Sequence, residues 1–222
     1  TSTNWTPNGV PGSGDNVIIF SSPNNPIYDG VAGVTDLTIT SGILDLGGFT
    51  LTTSGTNLFT SGTVQNGTLA SVSASNTTFN NTTFSASCTI NIISGRVNIN
   101  GGTFNGPVTL IQNGTSQTTG TGMAIFNNAT IIECAGSGNF RIQGGLTFNN
   151  TAHFKLSSSG YLLTELNSGN TYNGDVTLTI TGSGNLRSAY QGNTQFNGNI
   201  VLENTGTGYI YFCEQAGATA TL

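Results

Sequence analysis

Aromatic residues return at a near-fixed interval through the later part of this chain. Phe84, Phe104, Phe126, Phe148, Tyr172 and Phe196 are separated by 20, 22, 22, 24 and 24 residues, and they belong to a recurring phrase of aromatic, Asn and Gly. The columns that follow keep step. Four residues on lie Cys88, Val108, Thr130, Ala152, Val176 and Ile200. Six residues on lie Ile90, Leu110, Ile132, Phe154, Leu178 and Leu202, apolar in every copy. In the last four copies Gly138, Gly160, Gly184 and Gly208 stand twelve on, and Phe140, Leu162, Leu186 and Ile210 fourteen on. Within a unit, apolar and polar residues alternate, as in "VTLTIT" from Val176 to Thr181, which is strand periodicity.

Leucine-rich and helical repeats place helix formers in each unit, and no such stripe occurs here. The pattern instead predicts an all-β fold: a right-handed single-stranded parallel β-helix, a solenoid with 20–24-residue coils. Each unit is one coil, and equivalent columns stack at about 4.8 Å. One coil cannot bury its apolar column alone, so stacking makes the core. Phe104, Phe126, Phe148, Tyr172 and Phe196 are expected to form one internal stack. Leu110, Ile132, Phe154, Leu178 and Leu202 are expected to form another. Glycine is expected to supply the corners of positive φ, and turn Asn can do the same. Before Phe84 the register is less regular, although "LTITSGILDLGGFTLTTSG" still alternates.

Residues 1–30 read as an N-terminal cap with the first strands, built around Trp5 and two prolines in "NWTPNGVPGSGDNVIIF"; residues 31–222 read as the coils. A bare solenoid end exposes unpaired backbone groups. Trp5 and the Pro-containing loops suit the role of cover. The last residues, "ATATL", are strand-like, so the coils are expected to continue or to be covered by a neighbour. End-to-end stacking into a filament is one form such cover could take.

Composition narrows the function. Only 6% of residues are charged, against about 25% in ordinary domains. With 12 Phe and 6 Tyr in alternating runs, this is not a disordered chain. The net charge is −5, and the four cationic side chains Arg96, Arg141, Lys155 and Arg187 make no basic stripe for nucleic acid. No apolar run reaches membrane-spanning length. The odd set Cys88, Cys134 and Cys213 is no disulfide framework. The chain begins within its pattern, at "TSTNW", and reads as a mature or excised piece of a secreted protein.

The opening "NW…G.VPGSGDNVIIF" followed by "VTDLTITSGILDLGGFTLT" resembles the start of β-helical modules in large surface proteins of Bacteroidota. Trp5, Pro11, Asp15, Val17 and Ile18 carry the first part of that resemblance, and Asp36 to Thr52 the second. It covers roughly the first quarter of the chain. It implies a secreted β-helix module of adhesin-like proteins exported by type IX secretion, located outside the cell or at its surface. It implies no particular ligand.

Catalysis by a β-helix of the hydrolase kind needs two carboxylates about 5–9.5 Å apart. Glu133 and Glu203 share an outward column but sit three coils apart. Glu165 and Glu214, about two coils apart, are the best pair available, and their simple reading is solvated surface carboxylate. His153 falls in an outward column beside Lys155, with no Ser or Cys nucleophile in register. Lys155 follows Glu133 by one coil in the same column and can pair with it. Cys88 and Cys134 fall in inward columns, two coils apart, as small buried apolar residues. Cys213 follows an inward Phe212 and should face outward or sit at a corner. No catalytic residue, metal site or cofactor is expected. Thr177 and Thr179 resemble an ice-binding Thr-x-Thr pair, but the same columns hold Thr109/Ile111, Ile131/Glu133, His153/Lys155 and Val201/Glu203 elsewhere.

One outward strip stands apart. Thirteen residues after the aromatic come Asn139, Tyr161, Asn185 and Tyr209; fifteen after come Arg141, Leu163, Arg187 and Tyr211. Stacked, these make a ribbon of Asn, Tyr and Arg suited to sugar contact, with apolar ring faces and directional donors. The expected function is a non-enzymatic, extracellular structural or adhesive module of a larger cell-surface protein. Its expected partners are neighbouring modules, further copies end to end, or surface polysaccharide. A carbohydrate-binding or polysaccharide-processing β-helix is the second reading, and an ice-binding β-helix the third.

Overall fold

A computed structural model describes residues 9–30, 32–73, 75–114, 118–120 and 123–222. The described residues form strands, turns and bends with no helix, and every strand pair is parallel. The strands stack as a β-solenoid of about nine turns, with coils of roughly 22 residues. Trp5 lies outside the described residues. Val10 and Pro11, from the same opening segment, line an apolar cavity over the first coil together with Val17 and Leu37.

A full coil crosses three ladders. The first face begins with Val17–Ile19, Leu37–Ile39 and Asn57–Phe59; its later strands are Phe140–Ile142, Tyr161–Leu163, Asn185–Ser188 and Ile210–Phe212. The second face carries the aromatic column, and its later strands include Ala124–Phe126, Thr147–Phe148, Thr171–Tyr172 and Asn193–Phe196. The third face runs from Thr50–Thr53 to Ile200–Asn204. Two nine-residue strands, Asn76–Phe84 and Arg96–Phe104, serve the first and second faces at once. They bend at Asn81 (φ 52°) and at Gly101 and Gly102 (φ 96° and 114°), where the chain turns the corner between those faces.

The aromatic column is in register from Phe84 to Phe196. Successive ring centroids lie 4.4–5.0 Å apart, with planes within 13° of parallel. Ring quadrupoles favour offset or edge-on contacts over such stacking. Here the strand spacing of about 4.8 Å dictates the ring spacing. Phe154 supplies edge-on contact from the third face, at 5.6 Å to Phe148 and 5.9 Å to Tyr172.

The second expected column, Leu110, Ile132, Phe154, Leu178 and Leu202, is also aligned. Its first four members are buried, but Leu202 is 54% exposed because its strand is the outermost of the third face. The register before Phe84 is as strict as that after it. Phe84 aligns back through Val64 to Leu44, and Phe79 aligns through Phe59 and Ile39 to Ile19. An edge contact between Phe79 and Phe84, 5.2 Å and 77°, joins the two columns across the corner.

Positive φ is held by glycines such as Gly42, Gly62 and Gly144 and by Asn66 and Asn81, as expected of glycine and turn Asn. Gly138, Gly160, Gly184 and Gly208 are not among the residues of positive φ. They are needed for close approach. A Cβ on Gly160 would sit 2.0 Å from the carbonyl oxygen of Gly138, and one on Gly184 would sit 1.7 Å from that of Gly160. The Asn of the aromatic-Asn phrase likewise has a stacking role. Asn105, Asn127, Asn149, Asn173 and Asn197 form a ladder in which each amide nitrogen after the first donates to the amide oxygen one coil before, at 2.7–2.8 Å. None of the five has positive φ.

Candidate functional site

The strip lies on the first face with the expected register. Tyr161 pairs Asn185, Leu163 pairs both Arg141 and Arg187, and Arg187 pairs Tyr211. Strand side chains alternate between faces, so Phe140, Leu162 and Leu186 point into the core and hold their neighbours outward. Asn139 and Asn185 use their side-chain oxygens on the next coil: each accepts from a backbone N–H, of Tyr161 and of Tyr209, at 3.2 Å.

The rings and guanidinium groups interleave. Arg141 sits over the Tyr161 ring at 5.0 Å, and Arg187 sits 5.7 Å from the same ring. These arginines are one coil before and one coil after Tyr161. Arg187 also lies 5.7 Å from the Tyr190 ring and 5.6 Å from the Tyr211 ring. The Nε atoms of both arginines are buried without a hydrogen-bond acceptor, and ring contacts help to hold both groups in place. Leu163, expected to be outward, is only 3% exposed yet lies outside the continuous core. Its register neighbours Arg141 and Arg187 flank it on both sides. Tyr209 and Tyr211 are 64% and 37% exposed, with centroids 6.0 Å apart.

Two further residues complete the ribbon. Glu214 makes an ion pair with Arg187 at 3.2 Å, and Gln215 donates to the Tyr190 hydroxyl at 2.8 Å. Tyr190 and Glu214 lie in the corner just after their strands, off the two repeating columns, so column counting does not find them. The "SAY" and "FCEQ" phrases carry the only signal, an aromatic and an acid beside the arginine column.

Glu165 is a correction. It is not a solvated surface carboxylate but is fully buried in the corner between the first and second faces. That corner is longer here: Leu162 to Tyr172 takes ten residues, where Phe140 to Phe148 takes eight. The carboxyl receives Tyr172 Oη at 2.7 Å, Asn170 Nδ2 at 3.2 Å and the Ala189 backbone N–H at 2.6 Å, and it touches the Thr164 hydroxyl. Burial raises its pKa above the ordinary carboxyl value, and burial with the nearby Glu165 raises that of Tyr172. Glu214 is engaged by Arg187 and does not join Glu165.

The third face carries a separate polar cluster. Lys155 and Glu133 form the expected pair, at 3.2 Å, and Ser157 donates to Glu133 at 2.6 Å. His153 is half-buried, and its Nε2 meets the Thr179 hydroxyl at 2.8 Å. That hydroxyl donates to Glu203 at 3.0 Å. Its proton therefore points at a carboxylate and not at the imidazole, the reverse of an activated nucleophile. Thr179 is largely buried, so Thr177 and Thr179 do not present two free hydroxyls side by side.

Cys88 and Cys134 are buried free thiols, with Cys88 pushed up to about 12 by burial; Cys213 is half-buried at a corner, at φ 50°. Among the described residues, no three His, Cys, Asp or Glu side chains converge as metal ligands. No helix there is long and apolar enough to cross a membrane. No family model matches the chain, and no curated protein or solved structure matches it.

Proposed function

We propose that this chain is an extracellular structural and adhesive β-helix module of a larger cell-surface protein, and that it works by contact and not by catalysis. The observation that carries this reading is the first-face ribbon. Its arginines and tyrosines are held in fixed relation by strand register and by each other. A rigid, prearranged set of donors and rings loses little conformational freedom on binding.

The arrangement of the acids favours contact over hydrolysis. Glu165 is closed off from solvent, Glu214 is engaged by an arginine, and Glu133 is engaged by a lysine and a serine. The resemblance of the opening phrase supports a cell-surface setting, with neighbouring modules or further copies as partners along the axis. Two assays test the reading. Immobilised cell-surface polysaccharides should retain the protein, and retention should fall when Tyr209 and Tyr211 are both changed to Ala. Incubation with the same polysaccharides should release no new chain ends. Retention independent of the tyrosines, or turnover of any chain, would sink the proposal.

A further inference from the structure

Resting on the reading of the first-face ribbon as a contact surface, we propose that its ligand is a carboxylate-bearing polysaccharide lying along the solenoid axis. Arg141 pairs the acidic groups, and Tyr209 and Tyr211 form the platform for the sugar rings.

The distribution of charge selects an acidic chain. The protein carries −5 overall, yet three of its four cationic side chains, Arg96, Arg141 and Arg187, lie on first-face strands. From Arg96 to Tyr211 the first-face strands hold no acidic residue; Glu214 lies just beyond them. Lys155 is matched by Glu133 and Arg187 by Glu214. Arg141 has no carboxylate partner among the described residues; the Tyr161 ring holds it. With its Nε buried, what remains to recognise a ligand is the pair of terminal nitrogens, a fork that fits a carboxylate in two parallel hydrogen bonds.

The geometry sets the direction. Tyr161 lies between two guanidinium groups, which take the place a sugar would need on its ring. The most exposed aromatics of the ribbon are Tyr209 and Tyr211. Arg141 and Tyr211 share one column, three coils apart, roughly 14 Å at strand spacing. An extended sugar chain laid along that column meets the tyrosine platform at one end and the unpaired guanidinium at the other. Arg187, between them, becomes a second anion site once Glu214 is displaced.

The test compares a soluble oligogalacturonate with its fully methyl-esterified form, the same sugars without the charge, by titration calorimetry. The acidic chain should bind about tenfold more tightly, and this margin should shrink as salt is raised. Arg141→Gln should remove most of the margin. Glu214→Gln should widen it by freeing Arg187. Tyr209→Ala with Tyr211→Ala should weaken both forms. All four residues are at least partly exposed, and matched thermal unfolding checks that the variants are folded. Equal binding of both forms through the tyrosines overturns the acidic preference and leaves the contact ribbon standing. An acidic margin unmoved by Arg141→Gln also overturns it. Failure of both forms to bind removes the preference and the sugar-contact ribbon together.

Discussion

The phenol of Tyr172 donates a 2.7 Å hydrogen bond to the carboxyl of Glu165, and neither side chain reaches solvent. Tyr172 belongs to the aromatic stack, so this bond ties a core column to the enlarged corner beside it. No cation is among the groups that shift Glu165; its partners are hydroxyls, an amide and backbone N–H groups. Burial is the largest influence and raises the carboxyl value, against the hydrogen bonds from Thr164, Tyr172 and the backbone N–H groups, which lower it.

A pH dependence follows, with a definite sign. The carboxyl value is raised in the fold, so this contribution to stability is full below the ordinary value of 4.5. It is lost as pH rises from there through the elevated folded value. Glu165→Gln should remove that loss. The difference between wild-type and variant denaturant midpoints, followed from about pH 5 to pH 8, isolates the effect from other titrating groups. A difference that stays flat with pH would show that Glu165 is charged in the fold.

Gly184→Ala should be among the most damaging small changes in the chain. The added carbon would lie 1.7 Å from the Gly160 carbonyl oxygen, which is backbone and cannot swing away. Overpacking of this kind costs about 1–3 kcal/mol or more. Gly14→Ala, where a Cβ meets nothing within 4 Å and φ is not positive, is the control and should cost little. Thermal unfolding of the two variants decides; equal midpoints would mean that the coils separate without penalty.

Much of this was legible in the sequence, and several of the exceptions share a cause. Columns of alternating residues reveal which side chains face inward, because strand register repeats them coil after coil. That is why the aromatic stack, the Lys155–Glu133 pair and the Asn139-to-Tyr211 strip are found where counting puts them. Corners do not alternate. Glu165 looks like any surface acid until the two extra residues of its corner fold it inward, and Tyr190 and Glu214 lie off the columns for the same reason. The turn role of glycine and Asn was legible and holds at Gly42 and Asn66, but the part played by the column glycines and the Asn ladder was not. Both propensities fit a turn, and only the distance to the next coil shows that the glycines admit a neighbouring backbone and the Asn residues bond to one another.

Asn149→Ala should lower stability by about 1–2 kcal/mol, although the residue is exposed. Its amide donates to Asn127 at 2.7 Å and accepts from Asn173 at 2.8 Å, so one substitution breaks the ladder on both sides. Asn197→Ala removes only one bond, to Asn173, and should cost about half as much. Equal effects in chemical denaturation would argue that the ladder adds nothing beyond each residue's own turn.

His153 should titrate below its ordinary value of 6.5, because partial burial disfavours the charged ring and Lys155 adds to this, while Glu203 and Glu133 oppose it. With its value lowered in the fold, the contribution of His153 is present above 6.5 and is lost as pH falls from there through the depressed folded value. Glu203→Gln should depress the value further, and Lys155→Gln should raise it. The imidazole resonances in an NMR titration report this directly; a shift of the wrong sign in either variant would remove the assigned cause.

The middle and the outer end of one column offer the sharpest test of the core. Phe154 and Leu202 occupy the same register position two coils apart. Phe154 is 1% exposed and meets Phe148 and Tyr172 edge-on, whereas Leu202 is 54% exposed. Truncation costs in proportion to the apolar surface already removed from water and to the cavity left behind. Phe154→Ala should therefore cost about 3–5 kcal/mol, and Leu202→Ala about 1 kcal/mol or less. The solenoid transmits little of either loss beyond adjacent coils, since each coil contacts only its neighbours. Hydrogen exchange should accordingly show Phe154→Ala loosening the amides of Thr130–Cys134 and Val176–Ile180 first, the strands stacked on either side of it. Uniform loosening along the whole chain would mean that the coils unfold as one cooperative unit and that the column does not act locally.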